Sequence, residues 1–237
     1  MKRQIYTGAV RSLLLATVLM AGCIKDPENE PEAEAWLTVA NAFFDAEAVF
    51  YRLDVGRGGK PLNSLRFRET GRYHVPSCAD CKLEVFSSNQ SSRVVDTTFS
   101  IQANAYYTSF LFGTEESPKH FIVEDRLPAG VDDPTAIAGL RFFNLANTAH
   151  RVTLHVAGTE TIADFRNRPT ETAETAGAAE VFIPTTHTGT HVLTIVDENG
   201  VQLARRTGVA LDPGDYLTIF LTGDGGDTFP YHIGVLR

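Results

Sequence analysis

Trp36-Leu-Thr-Val-Ala-Asn41 returns as Gly139-Leu-Arg-Phe-Phe-Asn144, in both places an alternating strand closed by Asn, at an offset of 103. Further correspondences follow in the same order along the chain. Tyr73-His-Val-Pro76 matches Val181-Phe-Ile-Pro184 at an offset of 108, and Lys82-Leu-Glu-Val-Phe86 matches His191-Val-Leu-Thr-Ile195 as a returning strand. Phe99 to Tyr106 aligns with Val209 to Tyr216 at an offset of 110, which Gly113 and Gly223 keep. An offset that only grows is what loop-length differences on one repeated scaffold produce. The chain therefore reads as two copies of one module.

Within each copy, period-2 stretches such as Thr153-Leu-His-Val and Leu217-Thr-Ile-Phe-Leu are separated by turn signals, among them Leu53-Asp-Val-Gly-Arg-Gly-Gly59 and Asp197-Glu-Asn-Gly200. Short alternating strands at ~8–12-residue spacing are the pattern of a sandwich or barrel. Long helical periodicity is absent; the one weak helical candidate, Pro169 to Ala179, has a Thr-Glu-Ala-Gly composition that reads better as a long exposed loop. The expected fold is all-β: two tandem immunoglobulin-like β-sandwich modules over residues 35–127 and 139–237, joined by residues 128–138. Prolines 128 and 134 argue for a semi-rigid joint. The last strand, Tyr231 to Leu236, reaches almost to the final Arg237, so truncation there should be costly.

Ahead of the modules, Lys2, Arg3 and Arg11 lead into the apolar run Leu13 to Met20 and then Ala21-Gly22-Cys23, the plan of a cleavable secretory signal over residues 1–22. The run is too short to span a bilayer, which needs ~20 apolar residues. Leu19 to Cys23 resembles a bacterial lipobox. That resemblance implies cleavage before Cys23, acylation of its sulfur and amino group, and attachment to the membrane through those chains alone. Two or three acyl chains hold where a single one exchanges. Residues 23–34, rich in Pro and Glu, read as an acidic flexible tether. Lys25-Asp26 followed by spaced acids also resembles the export tethers with which some Gram-negative lineages place lipoproteins on the outer face. The expected location is thus the outer membrane, exposed on the cell surface, the alternative being a periplasmic orientation.

Removing residues 1–22 takes three of the 21 basic and none of the 29 acidic side chains, leaving a net charge of about −11. An acidic body repels phosphate, which excludes nucleic acid as a partner.

Over almost the whole mature chain, the opening strand with its Asn, the Phe44-Asp-Ala-Glu-Ala-Val49 loop, the Val75-Pro76 hairpin and the Tyr106-Tyr-Thr108 strand resemble a tandem bacterial β-sandwich family known only as domain of unknown function 4397. The second copy departs from it, since Ala146 to His150 lacks the acidic loop pattern. The resemblance implies a cell-envelope lipoprotein; it implies no reaction.

Chemistry-bearing motifs are few. Three readings compete for Cys78-Ala-Asp-Cys81: redox chemistry, a metal site and a disulfide. A thioredoxin-like thiol needs a helix N-terminus, which Val75-Pro76 and Lys82-Leu-Glu-Val85 do not offer, and zinc needs a second ligand pair. With Cys23 acylated, the remaining two cysteines of an exported chain favour a Cys78–Cys81 disulfide. His187 and His191 have helix-face spacing but fall around a turn. Asp132-Asp133 and Asp224-Gly-Gly-Asp227 suit turns as well as weak calcium binding. No nucleophile elbow is present, so no catalytic residue, cofactor or metal is assigned. Phe43-Phe44, in the loop just past the first strand, is the candidate ligand-binding pair: consecutive aromatics there cannot both enter one core, and an exposed ring can stack on a sugar. The expectation is a non-catalytic envelope protein binding a glycan or protein ligand for adhesion. The alternatives are a structural or assembly subunit and, with less support, a glycan-active enzyme.

Overall fold

Asn41 and Asn144 show why the repeat is visible. Each ends the first strand of its module, accepts a hydrogen bond on Oδ1 from the N–H two residues on (Phe43, 2.9 Å; Ala146, 3.2 Å), and donates from Nδ2 to the carbonyl of a crossing segment (Leu65, 3.0 Å; Arg168, 3.3 Å). The same side chain thus closes the same strand end in both copies. A computed structural model of the chain describes residues 34–237 apart from 57, 89–92, 132 and 160. The signal, Cys23 and the tether up to residue 33 lie outside the described residues, as does Asp132. Residues 33–237 form one unit.

The fold is all-β, built as two β-sandwiches. In the first, β1 (Glu34–Asn41), β4 (Thr70–Pro76), β7 (Tyr106–Gly113) and β8 (Pro118–Glu124) make one sheet in the order β4-β1-β7-β8. Strands β2 (Ala48–Asp54), β3 (Lys60–Arg66), β5 (Cys78–Ser87) and β6 (Arg93–Ile101) make the other in the order β3-β2-β5-β6. The second module repeats this with β9 (Ala138–Asn144), β11 (Ile183–Thr185), β14 (Tyr216–Thr222) and β15 (His232–Leu236) in the order β11-β9-β14-β15. Its other sheet is β10 (Val152–Val156), β12 (Gly189–Asp197) and β13 (Gln202–Leu211). The central pair is parallel in each, β1 with β7 and β9 with β14. Its register is preserved: Trp36 pairs with Tyr106 and Asn41 with Leu111, as Gly139 pairs with Tyr216 and Asn144 with Leu221. Gly113 and Gly223 end the last of these strands at φ 87° and 101°, where a Cβ would meet the carbonyl oxygens of Ser117 and Pro230.

Each sandwich has its own core. Leu37, Val39 and Leu111 pack on Tyr51, Leu83 and Val85 in the first, while Phe142, Leu217 and Ile219 pack on Leu154 and Ile195 in the second. A third core lies between the modules. Phe110, Phe112 and Phe121 of the β4-β1-β7-β8 sheet face Phe143 and Phe220 of the β11-β9-β14-β15 sheet, with ring centroids 5.2–5.7 Å apart along the cluster. The central strands are therefore buried on both faces, which is why β9 carries Phe at neighbouring positions 142 and 143. Burying a Phe contributes ~1.5–3 kcal/mol, so the modules are welded together rather than merely tethered. The connection is also tied down: the Tyr216 hydroxyl donates to the Pro134 carbonyl at 2.9 Å and the Gly214 N–H to the Ile137 carbonyl at 2.7 Å.

Two local expectations are corrected. Residues 169–179 are not an exposed loop, because Thr172 and Thr175 form a capping box at the start of α1 (Ala173–Ala178) and Ala176 enters the inter-module core. Before it, Glu171 is fully buried and held by Arg168 and Thr175. The segments at Val75-Pro76 and Pro184 are not hairpins: β4 and β5 belong to different sheets, as do β11 and β12, so the chain crosses the sandwich there.

Candidate functional site

The face of the first module that meets the second changes character along its strands. Thr70, Ala40, Phe110 and Phe121 form one cross-strand row, Arg72, Thr38, Thr108 and Val123 the next, and His74, Trp36 and Tyr106 a third. Period-2 alternation puts all three rows on one face. The phenylalanine row and Val123 are closed against the second module; Arg72, Thr38 and Thr108 of the second row and Tyr106 of the third open into a cleft of about 310 Å³. From the first module the cleft is lined by Thr38, Arg72, Tyr106, Thr108 and Asp125, and from the second by Phe182, Asp215, Tyr216, Thr218 and Arg237.

Tyr106 and Tyr216 occupy equivalent repeat positions, so each copy contributes the same tyrosine to the cleft. Tyr106 is 45% exposed, whereas Tyr216 is fixed by Pro134, and its hydroxyl pKa is raised by partial burial and then by Asp133. Trp36 has Gly139 as its counterpart because a Cβ there would lie 2.5 Å from the Tyr216 ring and 3.0 Å from the Phe182 Cβ. The Arg72 guanidinium lies 5.0 Å from the Trp36 ring centroid and 5.8 Å from that of Tyr106, and among the described residues it has no carboxylate partner. His74 packs edge-on against Trp36 and bonds Glu34 at 2.9 Å.

Behind the cleft sits Arg141, fully buried. Its Nε donates to Thr218 (2.8 Å), Nη1 to the carbonyls of Glu180 (3.1 Å) and Glu124 (3.4 Å), and Nη2 to Thr108 (3.3 Å) and the Asp125 carboxylate. Burial lowers its pKa and Asp125 opposes that, and an arginine, which is not deprotonated in proteins, stays charged. This ion pair holds the nearly buried Thr108 and Thr218 in the wall of the cleft through their hydroxyls. The resulting surface offers aromatic faces, carboxylates at Asp125 and Asp215, and guanidinium groups at Arg72 and Arg237. Flat apolar faces beside planar hydrogen-bonding groups suit a pyranose ring, apolar on its C–H faces and polar at its rim.

The residues expected from sequence fall elsewhere. Phe43 is 0% exposed in the first core, and Phe44, 6% exposed, packs on Phe67 at 6.0 Å and on Phe229 of the second module at 4.9 Å. Neither ring is exposed: one fills a core and the other helps to close the inter-module seam. Cys78 and Cys81 form the disulfide, with Cα atoms 5.6 Å apart. It clips a bulge, since three steps along β5 oppose two along β6 between the pairs Cys78–Ile101 and Cys81–Phe99. His191 bonds the Ala157 carbonyl, His187 is exposed, and Asp133 and Asp224 hold their own turns through Thr135 and Gly226. Among the described residues, no three His, Cys, Asp or Glu side chains are placed to hold a metal ion. The residues that do meet at the cleft, Arg72, Tyr106, Tyr216 and Arg237, with Trp36 beside Arg72, were signalled only by the Tyr106–Tyr216 repeat pair. Nothing in the sequence said that this face meets a second module.

No family model and no curated protein matches the chain. Among solved structures it is similar to a carbohydrate-binding module from Eubacterium rectale determined with maltoheptaose (12% identity, TM-score 0.26, 85% of this chain and 96% of that one). It is also similar to a tip fimbrial protein from Porphyromonas gingivalis (8%, TM-score 0.22, 87% and 100%) and to a putative cell adhesion protein from Bacteroides eggerthii (10%, TM-score 0.21, 88% and 97%). At these scores the likenesses carry no argument about function.

Proposed function

We propose that this chain is a non-catalytic, lipid-anchored envelope protein that binds a glycan in the cleft between its two sandwiches. The observation that carries this is the exposed Tyr106 ring, which with its cross-strand neighbour Trp36 flanks the Arg72 guanidinium, at a cleft that Tyr216 lines from the other copy. Polar groups fixed by the buried Arg141 supply the directional contacts that a sugar rim needs. The lipobox-like run at Cys23 and the acidic tether support attachment to the outer membrane with the modules held away from the lipid. Screening the full chain and its Tyr106→Ala variant on an oligosaccharide array tests the reading. Binding by the parent and loss in the variant is expected; an array silent for both, or binding that Tyr106→Ala leaves intact, contradicts it.

A second reading, a subunit of an envelope assembly, is favoured by Phe50, 47% exposed beside Phe86 on the open face of the β3-β2-β5-β6 sheet. Stoichiometric crosslinking of a protein partner that Phe50→Ser abolishes supports it; crosslinking unchanged by that substitution removes it.

A further inference from the structure

Three arginines converge where the cleft continues across the seam. A second depression of about 530 Å³ shares Thr38, Arg72, Leu236 and Arg237 with the cleft and adds Arg206, and no acidic side chain lines it. This is unusual on a chain with 29 acidic against 21 basic side chains. The three guanidinium groups are held differently. Arg206 donates to the Ile233 carbonyl at 2.9 Å, Arg237 donates to Asp215 and to the Ala210 carbonyl at 2.7 Å each, and Arg72 rests on two aromatic rings without a carboxylate. Among the described residues, only one of the three, Arg237, has an ion-pair partner. All three are oriented in advance by carbonyls or rings, so little side-chain freedom is lost on meeting an anion.

Resting on the glycan reading of the cleft, we infer that its ligand is an acidic sugar, with a carboxylate or sulfate group seated between Arg72, Arg206 and Arg237 while the ring stacks at Tyr106. A planar guanidinium pairs an oxyanion in two places and so distinguishes a charged sugar from a neutral one by geometry as well as by charge. The acidic remainder of the surface keeps polyanions from binding elsewhere, confining them to this seam.

Calorimetric titration of the full chain with matched pairs tests the inference: oligogalacturonides against their methyl esters for the carboxylate, and sulfated against desulfated oligosaccharides for the sulfate. The charged member of one pair should bind about tenfold more tightly than its neutral twin. Arg72→Gln and, separately, Arg206→Gln should reduce that preference to threefold or less, a drop on the order of one charge-assisted bond. Equal affinity within both pairs, or a preference unchanged in both variants, overturns the inference while leaving a neutral-glycan reading in place. Absence of binding to every member, charged or neutral, contradicts both. Arg72 is exposed and Arg206 lies on β13, so thermal melts of both variants confirm that a lost preference is not lost fold.

Discussion

The guanidinium of Arg141, on the central strand of the second module, is bonded to the carboxylate of Asp125 at the end of the first module's last strand, and its side chain is 1% exposed. No other described ion pair joining the two modules is buried in this way. Removing one partner of a buried pair costs about 3–5 kcal/mol, whereas replacing both partners together by apolar residues of similar volume often costs far less. Arg141→Ala should therefore lower the urea midpoint strongly, and the double substitution Arg141→Met, Asp125→Leu much less. Equal losses would show that the unpaired Asp125 carboxylate is not what the single substitution costs.

The inter-module phenylalanine core predicts a single cooperative unfolding step. Phe143→Ala removes a ring that contacts Phe110 and Phe121 and should cost about 3–5 kcal/mol. Calorimetry of this variant should show either a lowered single transition or a split into two, while the parent melts once. Two transitions in the parent would mean that the modules fold independently.

Acid should weaken the fold through His120. Its Nε2 lies 2.9 Å from the Ser109 hydroxyl, and burial lowers its pKa from 6.5 to about 4. Between those values the unfolded chain binds a proton that the folded one refuses, so stability rises with pH across that window and is lost as pH falls from 6.5 to 4. The full effect is up to about 3 kcal/mol. Glu84, held at about 2 by Arg93 and then Arg52, adds a further loss below the ordinary carboxylate range. His150, raised by Glu198, acts in the opposite direction but is exposed. Denaturant melts from pH 7 to pH 4 should show the decline, and His120→Gln should flatten it. An unchanged slope in that variant would assign the effect elsewhere.

The Cys78–Cys81 bridge closes a very small ring, so reduction should cost only ~2 kcal/mol. The double substitution Cys78→Ala, Cys81→Ala should lower the melting temperature modestly and leave ligand binding intact, because the bulge in β5 lies in the sheet away from the cleft. Loss of binding on reduction would contradict that placement.

The all-β fold and its duplication were legible because they rest on local signals: period-2 alternation, Gly-rich turns, and the two asparagines that close equivalent strand ends. The cleft was not. Trp36, Thr38 and Arg72 share a face only through the register of β1 with β4, and that face becomes a site only because another module packs against the phenylalanines beside it. Phe43-Phe44 misled for the same reason. Two consecutive rings cannot enter one core, but a second module gave Phe44 a place next to Phe229. The helix at Ala173–Ala178 escaped notice because its stability comes from a threonine capping box and the buried Glu171 rather than from apolar periodicity.

Trp36 is the chain's only tryptophan and stands beside the cleft, so its emission reports on the proposed site without a label. The most direct test of the central claim is a fluorescence titration of the full chain with oligosaccharides, repeated on Tyr106→Ala. A saturable change in Trp36 emission, weakened at least about tenfold by removal of the stacking ring, is the predicted result. Sugar binding that leaves Trp36 emission unchanged, or a titration that Tyr106→Ala does not alter, would place the ligand elsewhere and contradict the account.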